Sequence, residues 1–129
     1  MAANPVFVGT PRAEIAQVST ANTGRDGTGT IGLVFTAGTS GSRIDKVIIN
    51  ATGTTTAGVV RLWLYNDTNY RLLDEVMVTA ITPSATVEIY NKALNYQNFF
   101  IPGGSGWYKI AASTHNAETF NVIVLGGDL

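Results

Sequence analysis

Turn-forming clusters interrupt this chain so often that no stretch remains for an amphipathic helix of three turns. They fall at 22–29, 37–42, 52–58, 66–69, 83–84 and 102–106. Each is rich in Gly, Asn, Asp, Ser, Thr or Pro, residues that accept turn dihedrals or bond their own backbone through short side chains. Between them lie short runs of β-branched, aliphatic and aromatic residues with a period of two. The clearest spans 59–65, where Val60, Leu62 and Leu64 share one face while Val59, Arg61, Trp63 and Tyr65 share the other. That pattern predicts a core face and a wetter, aromatic face. In 43–51, Ile44 and Ile48 take one parity and Val47 and Ile49 the other, so its second half is expected to be buried on both sides, as in a central strand. Further strands are expected at 15–20, 30–36, 70–80, 86–90, 97–101, 107–112 and 119–125. The expectation is an all-β fold, a two-sheet antiparallel sandwich of about eight strands with jelly-roll-like topology. A barrel stays open, because periodicity does not say whether a sheet closes.

The length, 129 residues, suits one domain with one core. No cysteine is present, so disulfides, thiolate metal sites and cysteine nucleophiles are excluded together. Hydrophobic residues make up 45% of the chain and charged ones 13%, about half the usual charged share. Such a surface is mostly neutral and polar, which fits one partly covered by partners or sister subunits. The run Val6-Phe7-Val8, bracketed by Pro5 and Pro11, differs from the rest. Residues 1–11 therefore read either as an arm that pairs with a neighbour or as an edge strand of the same sandwich, with 12–129 forming the single domain.

The formal net charge is −1 and the basic residues are scattered, so no footprint for nucleic acid appears. No apolar run approaches the roughly 20 residues of a spanning helix, and the first residues lack the pattern of a secretory signal. Synthesis in a cytoplasm without membrane association is the expectation.

Catalytic chemistry finds little purchase. His115 is the only histidine and stands in a polar stretch between strands, where solvation is the ordinary fate. Ser105 fails the nucleophile-elbow pattern because Trp107 occupies the second glycine position. Asp74 and Glu75 are adjacent and point to opposite faces of a strand, while Glu14, Asp45, Glu88 and Glu118 are isolated. The loop 24–29 lacks both the P-loop ending and the EF-hand spacing, so it reads as a hairpin or loop-contact element. The chain is expected not to be an enzyme and to need no cofactor or metal. The aromatic residues of the second half allow a glycan-stacking platform around Trp63 and Trp107, set against a plain role in core and interface.

Segments 5–11 (PVFVGTP), 19–29 (STANTGRDGTG), 41–46 (GSRIDK), 51–61 (ATGTTTAGVVR), 78–85 (VTAITPSA) and 116–123 (NAETFNVI) resemble small virion proteins of tailed bacteriophages, of the capsid-decoration or head-stabilising type. The resemblance is one of phrases spread over most of the chain and includes no catalytic signature. It implies a sandwich module, often a homotrimer, that sits on the outside of the capsid and clamps neighbouring major capsid protein subunits. Val6, Phe7 and Val8 are the expected capsid or subunit contacts, from the arm argument. The alternative is a tail, adaptor or fibre-associated module that recognises a host glycan through Trp63 and Trp107.

Overall fold

The computed structural model describes residues 8–129. They form eight strands: β1 (Thr10–Val18), β2 (Gly32–Thr36), β3 (Ser42–Ala51), β4 (Gly58–Tyr65), β5 (Tyr70–Val78), β6 (Asn91–Ile101), β7 (Lys109–Thr114) and β8 (Phe120–Asp128). Two four-stranded sheets result, in the orders β1-β8-β3-β6 and β2-β7-β4-β5. Every strand pairing is antiparallel. The connectivity is nested: β1 pairs with β8, β2 with β7, β3 with β6 and β4 with β5. The chain is thus a long hairpin folded back on itself and wound across two sheets, the two-sheet sandwich its alternation calls for.

Period-two alternation places the core between the sheets. From the first sheet come Ile44, Val47 and Ile49 of β3 with Phe120, Val122 and Val124 of β8; from the second come Phe35, Val60, Leu62 and Ile110. All ten are at most 1% exposed. Truncating one such side chain to alanine costs about 2–5 kcal/mol, because the lost transfer energy is joined by a cavity. β3 lies between β8 and β6, the central position its doubly apolar second half requires.

Three expectations about local structure change. Residues 86–90 form no strand: Ser84 and Val87 exchange backbone hydrogen bonds at 3.0 and 3.4 Å, and the Thr86 amide donates to the Ser84 hydroxyl, so this stretch satisfies its polar groups as a turn. The strand begins instead at Asn91, in a polar run whose inward residue Leu94 packs on the core. The third change is at the start, where β1 opens at Thr10, so a boundary at Pro11 falls inside a strand. Proline is tolerated there because β1 is an edge, where a missing N–H need not break the ladder. Val8 and Gly9 continue the same course: the Gly9 amide donates to the Asp128 carbonyl at 2.8 Å, and Val8 packs against Gly127, where a Cβ would overlap it. Val6 and Phe7 lie outside the described residues.

Candidate functional site

The outer face of the second sheet is not solvent-facing where alternation predicts it. Arg61 and Trp63 point away from the core on β4, yet both are 0% exposed. Residues 19–31, which connect β1 to β2, fold across them. Asn22 holds this loop down. Its amide donates to the Thr114 carbonyl at 2.8 Å, and its side-chain Nδ2 donates to the carbonyls of Thr28 and Thr30 at 2.9 and 3.0 Å. Gly27 then lies against the start of β5 with φ of 89°, and a Cβ there would stand 2.5 Å from the Tyr70 carbonyl oxygen. Only glycine suits both the dihedral and the approach. Beneath the loop, the Trp63 indole N–H donates to Ser113 Oγ at 2.9 Å. The face expected to be wet is an inner layer.

Arg61 organises the charged cluster at the edge of this layer. Its Nε donates to Glu75 Oε2 at 2.8 Å and its Nη1 to the Asn22 carbonyl at 3.1 Å, while its Nη2 lies 3.2 Å from His115 Nδ1. Arg25, from the overlying loop, donates through Nε to the same Glu75 oxygen at 2.6 Å. The hydrogen bond from Arg25 and then that from Arg61 hold the Glu75 carboxyl below the usual carboxylate range. A guanidinium has no acceptor, so Arg61 must donate to His115 Nδ1, which assigns the ring proton to Nε2. Arg25, Ala57, Gly58, Val59, Arg61 and His115 surround an open cavity of about 200 Å³ here. The sequence gives no hint of this cluster, because its members come from four separated segments.

The residues expected of a glycan platform are not brought together as one. Trp63 has no free ring face, and Trp107 is half-buried in the β6–β7 connection. The exposed-edge aromatics are instead engaged with one another. Tyr65 and Tyr70 stack with centroids 4.0 Å apart, Lys109 Nζ stands 5.8 Å from the Tyr65 ring centre, and Asp67 accepts from both Lys109 and Tyr108. Hydrogen bonds from Lys109 and Tyr108 hold the Asp67 carboxyl below its ordinary value.

The first sheet presents the opposite case, an outer face with no loop bonded across it among the described residues. Register places its outward side chains in rows running across all four strands; beyond an end row of Pro11–Gly127–Arg43–Phe100, where Arg43 pairs with Asp45, lie three more. One row is Ala13–Leu125–Lys46–Asn95, the next Ile15–Ile123–Ile48–Ala93, and the third Gln17–Asn121–Asn50–Asn91. The middle row is wholly aliphatic and Ile15 is 64% exposed. In the third, Gln17 Nε2 donates to Asn121 Oδ1 at 3.0 Å and Asn121 Nδ2 to Asn50 Oδ1 at 3.1 Å, forming a ladder of amides. Lys46 is the single charge among these twelve positions. Parity alone places each residue outward, but the alignment of rows needs the strand order.

At the β1 edge of this sheet, inward-pointing charges close the sandwich. Arg12 donates to the Thr36 carbonyl at 2.6 Å and to Asp128 at 3.0 Å, pairs with Glu14, and lies 4.2 Å over the Phe35 ring. Ser42 also donates to Asp128, at 2.7 Å, and that bond followed by Arg12 holds the Asp128 carboxyl down. Among the described residues no three His, Asp or Glu side chains are placed to share a metal ion, and no helix is long and apolar enough to cross a membrane. Compared with known proteins, the chain matches no family model and no curated protein.

Proposed function

We propose that this chain is a structural virion protein of a tailed phage that binds the outside of the capsid, as a homotrimer, and stabilises it by clamping neighbouring major capsid protein subunits. The observation that carries the reading is the outer face of the β1-β8-β3-β6 sheet, left uncovered among the described residues, crossed by one aliphatic row and one amide row, and bearing one charge in the twelve positions of those three rows, with the Arg43–Asp45 pair at one end. Such a face suits association by burial and hydrogen bonding rather than by charge. The nested strand pairing is read as a jelly roll, an architecture common in virion proteins, and it supports the proposal by analogy only.

Area explains why a trimer suits the task. Four strands about 4.8 Å apart and five residues of about 3.3 Å each give a footprint of roughly 300 Å². That is well below the roughly 800 Å² each partner contributes to a stable interface, whereas three copies together present about 900 Å². Linked copies convert weak contacts into firm attachment through effective concentration. Val6, Phe7 and Val8 serve in this reading as an additional capsid or subunit contact, and the protein is made in the host cytoplasm before it joins the particle.

The test mixes purified protein with mature, undecorated heads and measures stoichiometric co-sedimentation. Wild-type protein binds, and Ile15→Lys, an exposed change expected to move stability by no more than about 0.5 kcal/mol, abolishes binding. Failure of the wild type to bind any head form overturns the proposal. Binding by Ile15→Lys at wild-type affinity removes the sheet face from it.

A further inference from the structure

We infer that the cavity between the 19–31 loop and the start of β4 is a binding site for a carboxylate carried on an aliphatic stem. Its walls have two chemistries. Ala57, Gly58 and Val59 supply an apolar side, and Arg25, Arg61 and His115 supply the polar one. Two guanidinium groups share a single carboxylate oxygen, Glu75 Oε2, at 2.6 and 2.8 Å. Among the described residues no second carboxylate stands within ion-pair distance of either guanidinium, so one positive charge is left over beside the cavity.

The donors are specified by the geometry. Arg61 is 0% exposed and forms the floor; it touches no ligand but orients the two groups that flank the opening. By donating to His115 Nδ1 it leaves the ring proton on Nε2, so the imidazole that lines the cavity keeps one donor and no free acceptor. By holding Glu75 it anchors the carboxylate on which Arg25 rests. Arg25 uses only its Nε in that contact, and no partner within the described residues engages its two terminal nitrogens. Its side chain is 62% exposed, so those donors are open to an incoming ligand. Paired terminal nitrogens of this kind match the two oxygens of a carboxylate.

The apolar wall decides between oxyanions. A free phosphate would set half its hydration shell against Ala57 and Val59 without compensation. A carboxylate on a short methylene stem lays the stem on that wall and its head on Arg25, as a glutamate side chain of a partner protein or a small organic acid would. The inference is independent of the virion reading, since it concerns the other sheet and a different chemistry.

The experiment titrates full-length protein with sodium propionate at constant ionic strength while following the His115 ring and Arg25 side-chain resonances. Parallel arms use sodium chloride, inorganic phosphate, and a short peptide with one central glutamate and blocked ends. Saturable shifts at both residues with propionate, absent with chloride and weaker with phosphate, are expected. Arg25→Gln, an exposed change, should weaken propionate binding about tenfold, the loss of one charge-assisted contact. Tighter binding of the peptide than of propionate assigns the site to a protein side chain; the reverse assigns it to a small acid. Linear shifts, equal shifts with chloride or phosphate, or an Arg25→Gln variant that binds as the wild type does would overturn the inference.

Discussion

The Arg61–Glu75 pair makes a prediction whose sign, and not only its size, is at stake. Arg61 is wholly buried, whereas the Glu75 side chain is 29% exposed and keeps Arg25 as a second partner. Glu75→Ala leaves a guanidinium buried without a carboxylate, a defect that costs about 3–5 kcal/mol in proteins. Because the Asn22 carbonyl and His115 Nδ1 still accept from Arg61, the lower end, about 3 kcal/mol, is expected. With a urea slope near 1.5 kcal/mol/M for a domain of this size, the midpoint falls by about 2 M. Arg61→Met removes the charge and leaves Glu75 to Arg25 and water, so it costs less, about 1–2 kcal/mol. The double variant lacks the stranded charge and should be more stable than Glu75→Ala alone. Equilibrium urea unfolding of all four proteins, with circular dichroism and fluorescence midpoints required to coincide, measures each term. A double variant no more stable than Glu75→Ala, or a Glu75→Ala midpoint within about 0.5 M of wild type, would refute the claim that Arg61 is held as a buried, paired cation.

Three more expectations concern stability. Glu75 and Asp128 are held below the ordinary carboxyl range in the folded state, by Arg25 and Arg61 and by Ser42 and Arg12 respectively, so their contribution is complete above the unfolded value of about 4 and lost as pH falls through the folded values. The urea midpoint should drop as the pH falls below about 4, and Glu75→Gln should reduce that drop; an unchanged acid limb contradicts the assignment. Trp63→Ala should destabilise by about 3–5 kcal/mol, and the remaining Trp63 emission in Trp107→Phe should be blue-shifted and resist acrylamide, whereas ready quenching would place the ring in solvent. Gly27→Ala should cost about 1–3 kcal/mol and speed amide exchange through residues 22–30, because the loop must lift off Tyr70; exchange rates equal to wild type would show that the loop does not need that approach.

What the sequence reveals and what it hides follow from the same rule. Alternation at Val60, Leu62 and Leu64 identifies the inner face of β4, and the doubly apolar Val47–Ile48–Ile49 identifies β3 as central, because both signals are local. The outer face of β4 is misread because a period of two separates faces but does not say what covers each one. Arg61, Trp63 and Ser113 look the same whether water or a loop lies above them, and the loop that covers them is anchored by Asn22 far away in sequence. β6 escapes partly for a local reason: Asn91, Asn95 and Asn98 imitate a turn composition, and in its first half only Leu94 marks the core side before Tyr96, Phe99 and Ile101. The charged cavity and the aligned outer rows depend on strand order, which pairs residues as distant as Gln17 and Asn121 and is invisible to any window along the chain.

The low charge of the chain takes a different meaning once the pairs are located. Five of its eight basic residues, Arg12, Arg25, Arg43, Arg61 and Lys109, stand in ion pairs within the chain. Arg61 and Arg12 spend theirs on closure, one fastening the 19–31 loop over β4 and the other joining β1 to β2 across the sandwich edge. Charge here is mostly a structural device, consumed in tying two sheets and a loop together in a chain that has no disulfide to do it. On the first sheet's outer face it is confined to Lys46 and, at one end, the Arg43–Asp45 pair. A surface of aliphatic and amide rows has little long-range field to steer encounters, so association there depends on close fit and on many copies acting together. Under the proposed virion role, that balance suits a protein added to a preformed lattice, where each site offers the same contact many times over.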